Sequence, residues 1–257
     1  MIDYEVQGQI AVITIDRPAQ RNAVNGQFAT EMEAAIDAME NDPKVWVGVL
    51  QAVTEGDRPV FCAGADLKEI NSGNGAALGT KRGGFGGIVY RERNKPLIVA
   101  VDGLATAGGC EIVLSVDLVV ATTRSSFGLA EVKRNLIAGA GGLYRLPQAI
   151  GKAAAMEAIL TGEPLSAQRA YDLGLVNRLV EPGKALEAAL ELAVKIAAAA
   201  PLAVWESRKV VLASQYDDEA TLRKKTNAAM GKMMASEDLK EGLTAFIEKR
   251  NPIWQGR

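Results

Sequence analysis

Short, almost wholly apolar runs alternate with helical patterns in the first part of this chain. VWVGVLQA (45–52), KPLIVAVDG (95–103) and LVVATT (118–123) have the composition of buried strands. Between them, residues 26–41 place apolar side chains at helical spacing. Buried strands that alternate with helices are typical of α/β proteins, so we predict an α/β core.

The two ends of the chain depart from this alternation. DYEVQG (3–8) and IAVITID (10–16) alternate like strands and lie close enough in sequence to form a hairpin. Beyond residue 181 the strand signal ceases, and helical patterns follow at 182–199, 201–214, 217–234 and 236–249. We therefore predict a core of residues 1–181 and a helical region of residues 182–257.

Charge and composition exclude several classes of protein. The chain has 29 basic and 31 acidic residues, and the resulting net charge of −2 gives no electrostatic basis for binding nucleic acid or an anionic membrane. Its apolar runs are shorter than the roughly 18 residues needed to span a bilayer, and its N-terminus lacks a signal-peptide pattern. Cys62 and Cys110 form no metal or disulfide motif. We expect a cytoplasmic protein that binds neither nucleic acid nor membrane.

The chain contains no histidine. This absence excludes a Ser-His-Asp triad, a Cys-His pair and the zinc sites that use histidine, and we expect no metal. The phosphate-binding motifs GxxxxGK[ST] and GxGxxG are also missing. Acid–base chemistry near neutral pH therefore depends on carboxylates, lysines, tyrosines or a cysteine with a shifted pKa.

One carboxylate, Glu111, lies in the otherwise mostly apolar run GLATAGGCEIVLSVD (103–117). The run predicts a loop at Gly108 and Gly109 that leads into a buried helix. An ionised carboxylate is costly to bury, and it usually occurs in a core only when it is paired, hydrogen-bonded or functional. Glu111 is therefore a candidate catalytic group.

Two further segments suit the same chemistry. In RPVFCAGADLKEI (58–70), small residues at a strand-to-helix turn let a ligand approach free backbone N–H groups, and the Gly108 turn offers a second such position. In SSFGLAEVKRN (125–135), Glu131 opens a predicted helix, although a glutamate there is also typical of a solvated first turn. Two N–H groups that stabilise an enolate and two carboxylates that transfer protons form a coherent set.

The segment NSGNGAALGTKRGGFGG (71–87) is rich in glycine. Its composition is equally typical of a mobile surface loop and of a lid over a site. Because it directly follows the small-residue turn at Ala65, both interpretations stay open.

Motifs spread over nearly the whole chain carry a family resemblance. They are RPAQRNAVN, FCAGADLKEI, KPLIVAVDGLATAGGCEIVLSVDLVVAT, FGLAEV, AGAGGLYRLPQAIG, LTGEPLSAQRAYDLGLVNRLV and SEDLKEGLTAFIEKRNPIW. Together they resemble the enoyl-CoA hydratase/isomerase, or crotonase, superfamily. The resemblance implies an α/β spiral of ββα units with a C-terminal helical trimerisation region, assembled as a homotrimer or a dimer of trimers.

The resemblance also assigns roles to residues. Glu111 and Glu131 fall on the two catalytic glutamate positions, and the N–H groups of Ala65 and Gly108 form an oxyanion hole for an acyl-CoA thioester. The other positions expected to bind the substrate are Arg21, Ala23, Ala63, Asp66, Leu67, Lys68 and Gly109, with Phe246 and Lys249 reaching the site of a neighbouring subunit. Coenzyme A belongs to the substrate, so no separate cofactor is implied.

The implied activity is that of an enoyl-CoA hydratase or dehydratase, which interconverts 2-enoyl-CoA and 3-hydroxyacyl-CoA. Two alternatives remain: a double-bond isomerase, although family isomerases commonly manage with one glutamate, and a non-catalytic acyl-CoA-binding protein. The tail and DLGLVNRLV particularly resemble carnitinyl-CoA dehydratases.

This chain departs from the family pattern at three places near the expected site. Thr106 and Ala107 stand where the family often has glycine, and Ala130 and Ala138 stand where proline is usual. These departures leave the identity of the acyl group open.

Overall fold

The computed structural model describes residues 1–257. The strands are β1 (Ile2–Gln7), β2 (Ile10–Ile15), β3 (Val47–Ala52), β4 (Val60–Cys62), β5 (Gly79–Thr80), β6 (Gly84–Phe85), β7 (Leu97–Val101), β8 (Leu104–Thr106), β9 (Leu118–Thr122), β10 (Ser126–Gly128), β11 (Leu165–Ser166) and β12 (Arg178–Val180). The α-helices are α1 (Gly26–Asn41), α2 (Leu67–Asn71), α3 (Gly108–Leu114), α4 (Gly142–Ile150), α5 (Lys152–Thr161), α6 (Ala167–Asp172), α7 (Ala185–Ala197), α8 (Pro201–Ala213), α9 (Glu219–Met234) and α10 (Glu237–Glu248). Short 3₁₀ helices span Pro18–Gln20, Gly75–Leu78 and Glu131–Arg134.

A six-stranded sheet has the order β1-β2-β3-β7-β9-β12. Its first two strands form the predicted antiparallel hairpin, with Gln7 opposite Ile10, and the other neighbours are parallel. The three buried strands predicted from their apolar runs are β3, β7 and β9, at the centre of this sheet. Strands buried on both faces need apolar residues at successive positions, which explains why these runs do not alternate.

A second, four-stranded sheet has the order β11-β10-β8-β4. The pairs β3–β4, β7–β8 and β9–β10 are each consecutive in the chain, and each contributes its first strand to the six-stranded sheet and its second to the four-stranded one. Helices follow these pairs, so the chain advances as a spiral of ββα units. The predicted α/β spiral is confirmed.

The main core lies between the two sheets and the helices that cover them. Helix α1 has the predicted bounds, with the Asn25 side chain accepting a hydrogen bond from the Phe28 N–H as its N-cap. Phe28, Met32, Ile36 and Met39 recur three or four residues apart and are fully buried against the core.

Helix α7 covers the opposite face of the six-stranded sheet. Ala185, Ala189 and Ala193 are buried there with residues of β2, β3, β7 and β9. Alanine at every fourth position lets the helix approach the sheet closely. The boundary predicted after residue 181 falls between the six-stranded sheet and α7, although the two pack together. Helical periodicity alone does not reveal what a helix packs against.

Helices α8, α9 and α10 follow, and each lies close to the bounds predicted from its pattern. The C-terminal tail is fixed to α10, since the Asp238 carboxylate accepts hydrogen bonds from the N–H groups of Gln255 and Gly256. No single helix is long and apolar enough to cross a membrane; α7 and α8 pass that test only together and bend by 108° between them.

Candidate active site

Three neighbouring parallel strands, β4, β8 and β10, end at the same edge of the four-stranded sheet. Each is followed by a tight turn and a short helix: Ala63–Asp66 before α2, Ala107 before α3, and Ala130 before the 3₁₀ helix Glu131–Arg134. The carboxyl ends of parallel strands meet at one edge, so residues far apart in sequence lie together there.

The turns after β4 and β8 touch each other. A side chain on Gly64, which has φ +85°, would have its Cβ 3.0 Å from the Gly108 nitrogen, and the Phe85 ring fills the position of a Gly108 side chain. The N–H groups of Ala65 and Gly108 make no hydrogen bond within the chain. Two unpaired N–H groups on adjacent turns suit a carbonyl oxygen whose negative charge develops during reaction.

A buried polar brace holds the first of these turns. The amide of Asn22 donates to the carbonyl oxygens of Val53 and Val60, and its oxygen accepts from the Arg17 N–H. The Arg17 guanidinium in turn donates to Asp66 Oδ2 at 3.0 Å. This brace was not foreseen, because nothing in the sequence marks Asn22 apart from its turn-forming neighbours.

Glu111 lies in the first turn of α3, and its side chain is buried, with the residue 3% exposed. Its Oε1 accepts hydrogen bonds from the N–H groups of Ala140 at 2.7 Å and Gly142 at 2.9 Å. Burial raises the pKa of Glu111, while these N–H groups and the Arg145 charge act in the opposite direction. The GAGG motif before α4 was the available signal for this cradle, since it supplies free N–H groups at a helix start.

Glu131 opens the predicted helix, which is a 3₁₀ helix of four residues because Asn135 adopts a left-handed conformation and ends it. Burial raises the pKa of Glu131, and the negative charge of Glu111 raises it further. Glu131 Oε2 is buried and makes no hydrogen bond within the chain. A solvated surface glutamate would have neither property.

Both glutamates face one cavity of about 1170 Å³. Of the other residues expected at the site, eight line the cavity with them: Arg21, Ala23, Ala63, Ala65, Asp66, Leu67, Lys68 and Gly108. The glycine-rich segment 71–87 contributes Leu78 and Phe85 to the wall, because its later part forms the β5–β6 pair.

Three expected residues do not line this cavity in a single chain. Gly109 lies behind it, where a side chain would meet the Cys62 carbonyl. Phe246 and Lys249 lie at the end of α10, where Phe246 is 84% exposed.

The two cysteines supply no acid–base group. Both are free and buried, and burial raises the pKa of Cys62 to about 12 and that of Cys110 as well. The structure also brings together no cluster of three or more histidine, cysteine, aspartate or glutamate residues that could hold a metal ion. Glu111 and Glu131 are the carboxyl groups of this cavity whose pKa is raised by burial.

A model of the family described as enoyl-CoA hydratase/isomerase matches residues 5–257. The chain belongs to the enoyl-CoA hydratase/isomerase family.

Individual proteins match this chain over almost its full length. A short-chain-enoyl-CoA hydratase of Clostridium acetobutylicum is 38% identical over 249 residues, which are 96% of this chain and 94% of that protein. A carnitinyl-CoA dehydratase of Salmonella typhimurium is 35% identical over 255 residues, 97% of this chain and 96% of that protein. The crystal structure of an enoyl-CoA hydratase from Mycobacterium tuberculosis H37Rv is 42% identical and covers 100% of this chain and 99% of that one, with a TM-score of 0.94.

These matches confirm the predicted family, the fold and the enoyl-CoA hydratase class of activity.

Among the residues that depart from the pattern of enoyl-CoA hydratases, Ala107 has the clearest structural consequence. It has φ +51° and ψ −129°, a backbone conformation that glycine adopts readily and alanine does not. The turn that presents the Gly108 N–H is therefore strained in this member of the family.

Proposed function

We propose that this chain adds water across the C2=C3 bond of a 2-enoyl-CoA thioester, and dehydrates the 3-hydroxyacyl-CoA product in reverse, through Glu111 and Glu131. One observation supports this most strongly: the buried carboxylate of Glu111, the half-buried carboxylate of Glu131 and two unpaired N–H groups line the same cavity. The proton-transfer groups and the enolate-stabilising groups that hydration needs are thereby combined.

The proposed reaction runs through an enolate. The N–H groups of Ala65 and Gly108 donate to the thioester oxygen, which draws electron density away from C3. Water bonds to C3 through its oxygen and loses a proton to Glu111, while the C2=C3 electron pair takes a proton from Glu131. Proton exchange between the carboxyl groups then restores the starting state, so the reaction needs no cofactor besides the CoA of the substrate.

The electrostatics favour Glu111 as the base and Glu131 as the acid. Two N–H groups donate to Glu111 and stabilise its ionised form, whereas Glu131 feels the negative charge of Glu111 and retains its proton more strongly. Because the two groups interact, their protons are lost in steps that belong to the pair.

We further propose that Arg21 and Lys68 contact the phosphates of CoA, since both are exposed cations at the cavity wall, with Ala23, Ala63, Asp66 and Leu67 beside the CoA moiety. On this proposal residues 182–257 form the oligomerisation region of a homotrimer or a dimer of trimers. Phe246 and Lys249 then border the CoA of a neighbouring subunit, which agrees with their exposure in one chain. We assign the protein to the cytoplasm.

Loss of the absorbance of the conjugated enoyl thioester tests the proposal, with crotonyl-CoA and a small panel of other 2-enoyl-CoA esters as substrates. The product is identified by mass, since hydration adds one water. Incubation with 3-enoyl-CoA separates hydration from isomerisation, because an isomerase forms the conjugated thioester without a change of mass. Binding of these esters with neither reaction would contradict the proposal.

A further inference from the structure

Tyr90 separates the cavity that contains the two glutamates from a second cleft of about 1040 Å³. It is the one residue that lines both, and it is 47% exposed because it borders open space on both sides. The second cleft continues between the end of α3, α4 and α8, and its lining combines apolar side chains, such as Leu114 and Leu212, with charged ones, such as Arg93, Asp117 and Arg208.

The Tyr90 side chain is held at both ends. Its ring packs directly on Gly84, where a Cβ would collide with it, and its hydroxyl donates to the Gly139 carbonyl oxygen at 3.0 Å. Behind the ring, the Arg145 guanidinium lies 5.6 Å from the ring centroid and donates to the Val89 carbonyl oxygen at 2.6 Å. A ring fixed by these contacts forms a wall rather than a mobile side chain.

The geometry of the reaction shows which part of a substrate would meet this wall. On the proposed function, the thioester carbonyl is bound at Ala65 and Gly108 and C2 and C3 lie at the glutamates, so the rest of the acyl chain extends beyond them. The Tyr90 hydroxyl donates to the carbonyl oxygen of Gly139, the residue before Ala140, whose N–H holds Glu111. Tyr90 therefore lies in the part of the cavity wall next to the Glu111 carboxylate, where the acyl chain of the proposed substrate would extend.

Resting on the proposed function, we propose that Tyr90 ends the acyl pocket and restricts this enzyme to short acyl groups. While the ring spans from Gly84 to Gly139, the additional methylene groups of a longer acyl chain have no further apolar surface to pack against. When the side chain is shortened, the acyl pocket opens into the second cleft, and each added CH₂ that enters it gains up to about fourfold in affinity, from about 0.8 kcal/mol per buried CH₂.

The test is the affinity of saturated acyl-CoA esters from butyryl-CoA to decanoyl-CoA, measured by titration calorimetry with the full-length protein. In the unaltered protein we expect no gain in affinity with length beyond the short esters. In Tyr90→Ala we expect the ratio of decanoyl-CoA to butyryl-CoA affinity to rise at least tenfold. Tyr90→Leu, which keeps more of the packing on Gly84, is the second variant and moves the ratio in the same direction if the alanine variant does not fold.

Tyr171→Ala is the matched control. Tyr171 is 45% exposed, close to the 47% of Tyr90, but lines neither cavity, so its removal leaves the ratio unchanged. An unchanged ratio in both folded Tyr90 variants overturns the proposal, as does a shift in Ile137→Ala alone, which would mean that the chain leaves past the exposed loop. Saturated esters cannot be hydrated, so this result is independent of whether the hydration of 2-enoyl-CoA itself succeeds.

Discussion

The Ala140 N–H donates a hydrogen bond of 2.7 Å to Oε1 of Glu111. Gly142 donates to the same oxygen, so one oxygen of the carboxylate is held by the loop before α4 while the other stays free of protein hydrogen bonds. This arrangement fixes the direction of the free oxygen and keeps the group ionisable in a buried site.

Glu111→Gln and Glu131→Gln should each lower kcat for hydration by about 10² to 10⁴-fold, because an amide of similar size cannot take up or deliver the proton. The affinity for a saturated acyl-CoA should stay nearly the same, since binding uses other groups. Glu69→Gln, on α2 and outside the cavity lining, is the control and should keep the full rate. A glutamine variant of either site residue with close to the original rate would refute its catalytic role.

Glu111→Gln should also lower the pKa of Glu131. The negative charge of Glu111 contributes to the raised pKa of Glu131, and the neutral amide removes that contribution but leaves the contribution of burial. Carboxyl ¹³C NMR over a pH series measures the midpoint in both proteins. A midpoint of Glu131 that does not move would mean that the two carboxyl groups are electrostatically independent.

The same buried charge predicts how stability depends on pH. Folding raises the pKa of Glu111, so its contribution to stability is full below the unfolded pKa of about 4.3 and is lost as the pH rises through the folded pKa. Glu111→Gln should therefore be more stable than the unaltered protein at pH 7, and the difference should shrink toward pH 4. Urea unfolding of both proteins at pH 7 and pH 4 measures this difference in the free energy of unfolding. A difference that does not vary with pH would contradict the raised pKa of Glu111 in the folded protein.

The local pattern of the sequence predicts the elements that depend on spacing alone. The hairpin, α1 and the strands β3, β7 and β9 follow from two-residue alternation, helical periodicity and continuous apolar runs. Helix α7 shows the limit of such patterns, because its alanines fit any close apolar surface and only the folded chain reveals that they cover the sheet.

The candidate site also contains residues that the sequence reveals and contacts that it does not. Glu111 could be recognised because a carboxylate in an apolar run is unusual. Glu131 and the turns at Ala65 and Gly108 were candidates from their local sequence, and the family resemblance assigned their roles. The Asn22 brace, the N–H cradle at Ala140 and the wall at Tyr90 join segments that are far apart in sequence. Such contacts depend on the three-dimensional path of the chain and leave no periodic signal.

Ala107→Gly should stabilise the fold. The positive φ of Ala107 costs roughly 1–3 kcal/mol, whereas the greater freedom of glycine in the unfolded chain offsets only about 0.5–1 kcal/mol of the relief. The expected gain in the free energy of unfolding is therefore on the order of 1 kcal/mol, measured by urea titration. Ala105→Gly, at a buried position of β8 with ordinary extended backbone, is the control and should destabilise. Equal losses in the two variants would rule out strain at Ala107.

The last prediction concerns assembly through α10. Leu243, Phe246 and Ile247 are 59%, 84% and 78% exposed and lie three or four residues apart or adjacent on one side of the helix. A contiguous exposed apolar face is typical of a protein–protein contact, and its burial in a trimer would bring Phe246 toward the CoA of a neighbour. Light scattering during size-exclusion should give a mass near three or six chains, and Phe246→Asp should shift it to one chain and weaken acyl-CoA binding. Leu160→Asp, at a similarly exposed apolar position on α5, should do neither. A stable, fully active monomer at low micromolar concentration would show that α10 does not complete the site of a neighbouring subunit.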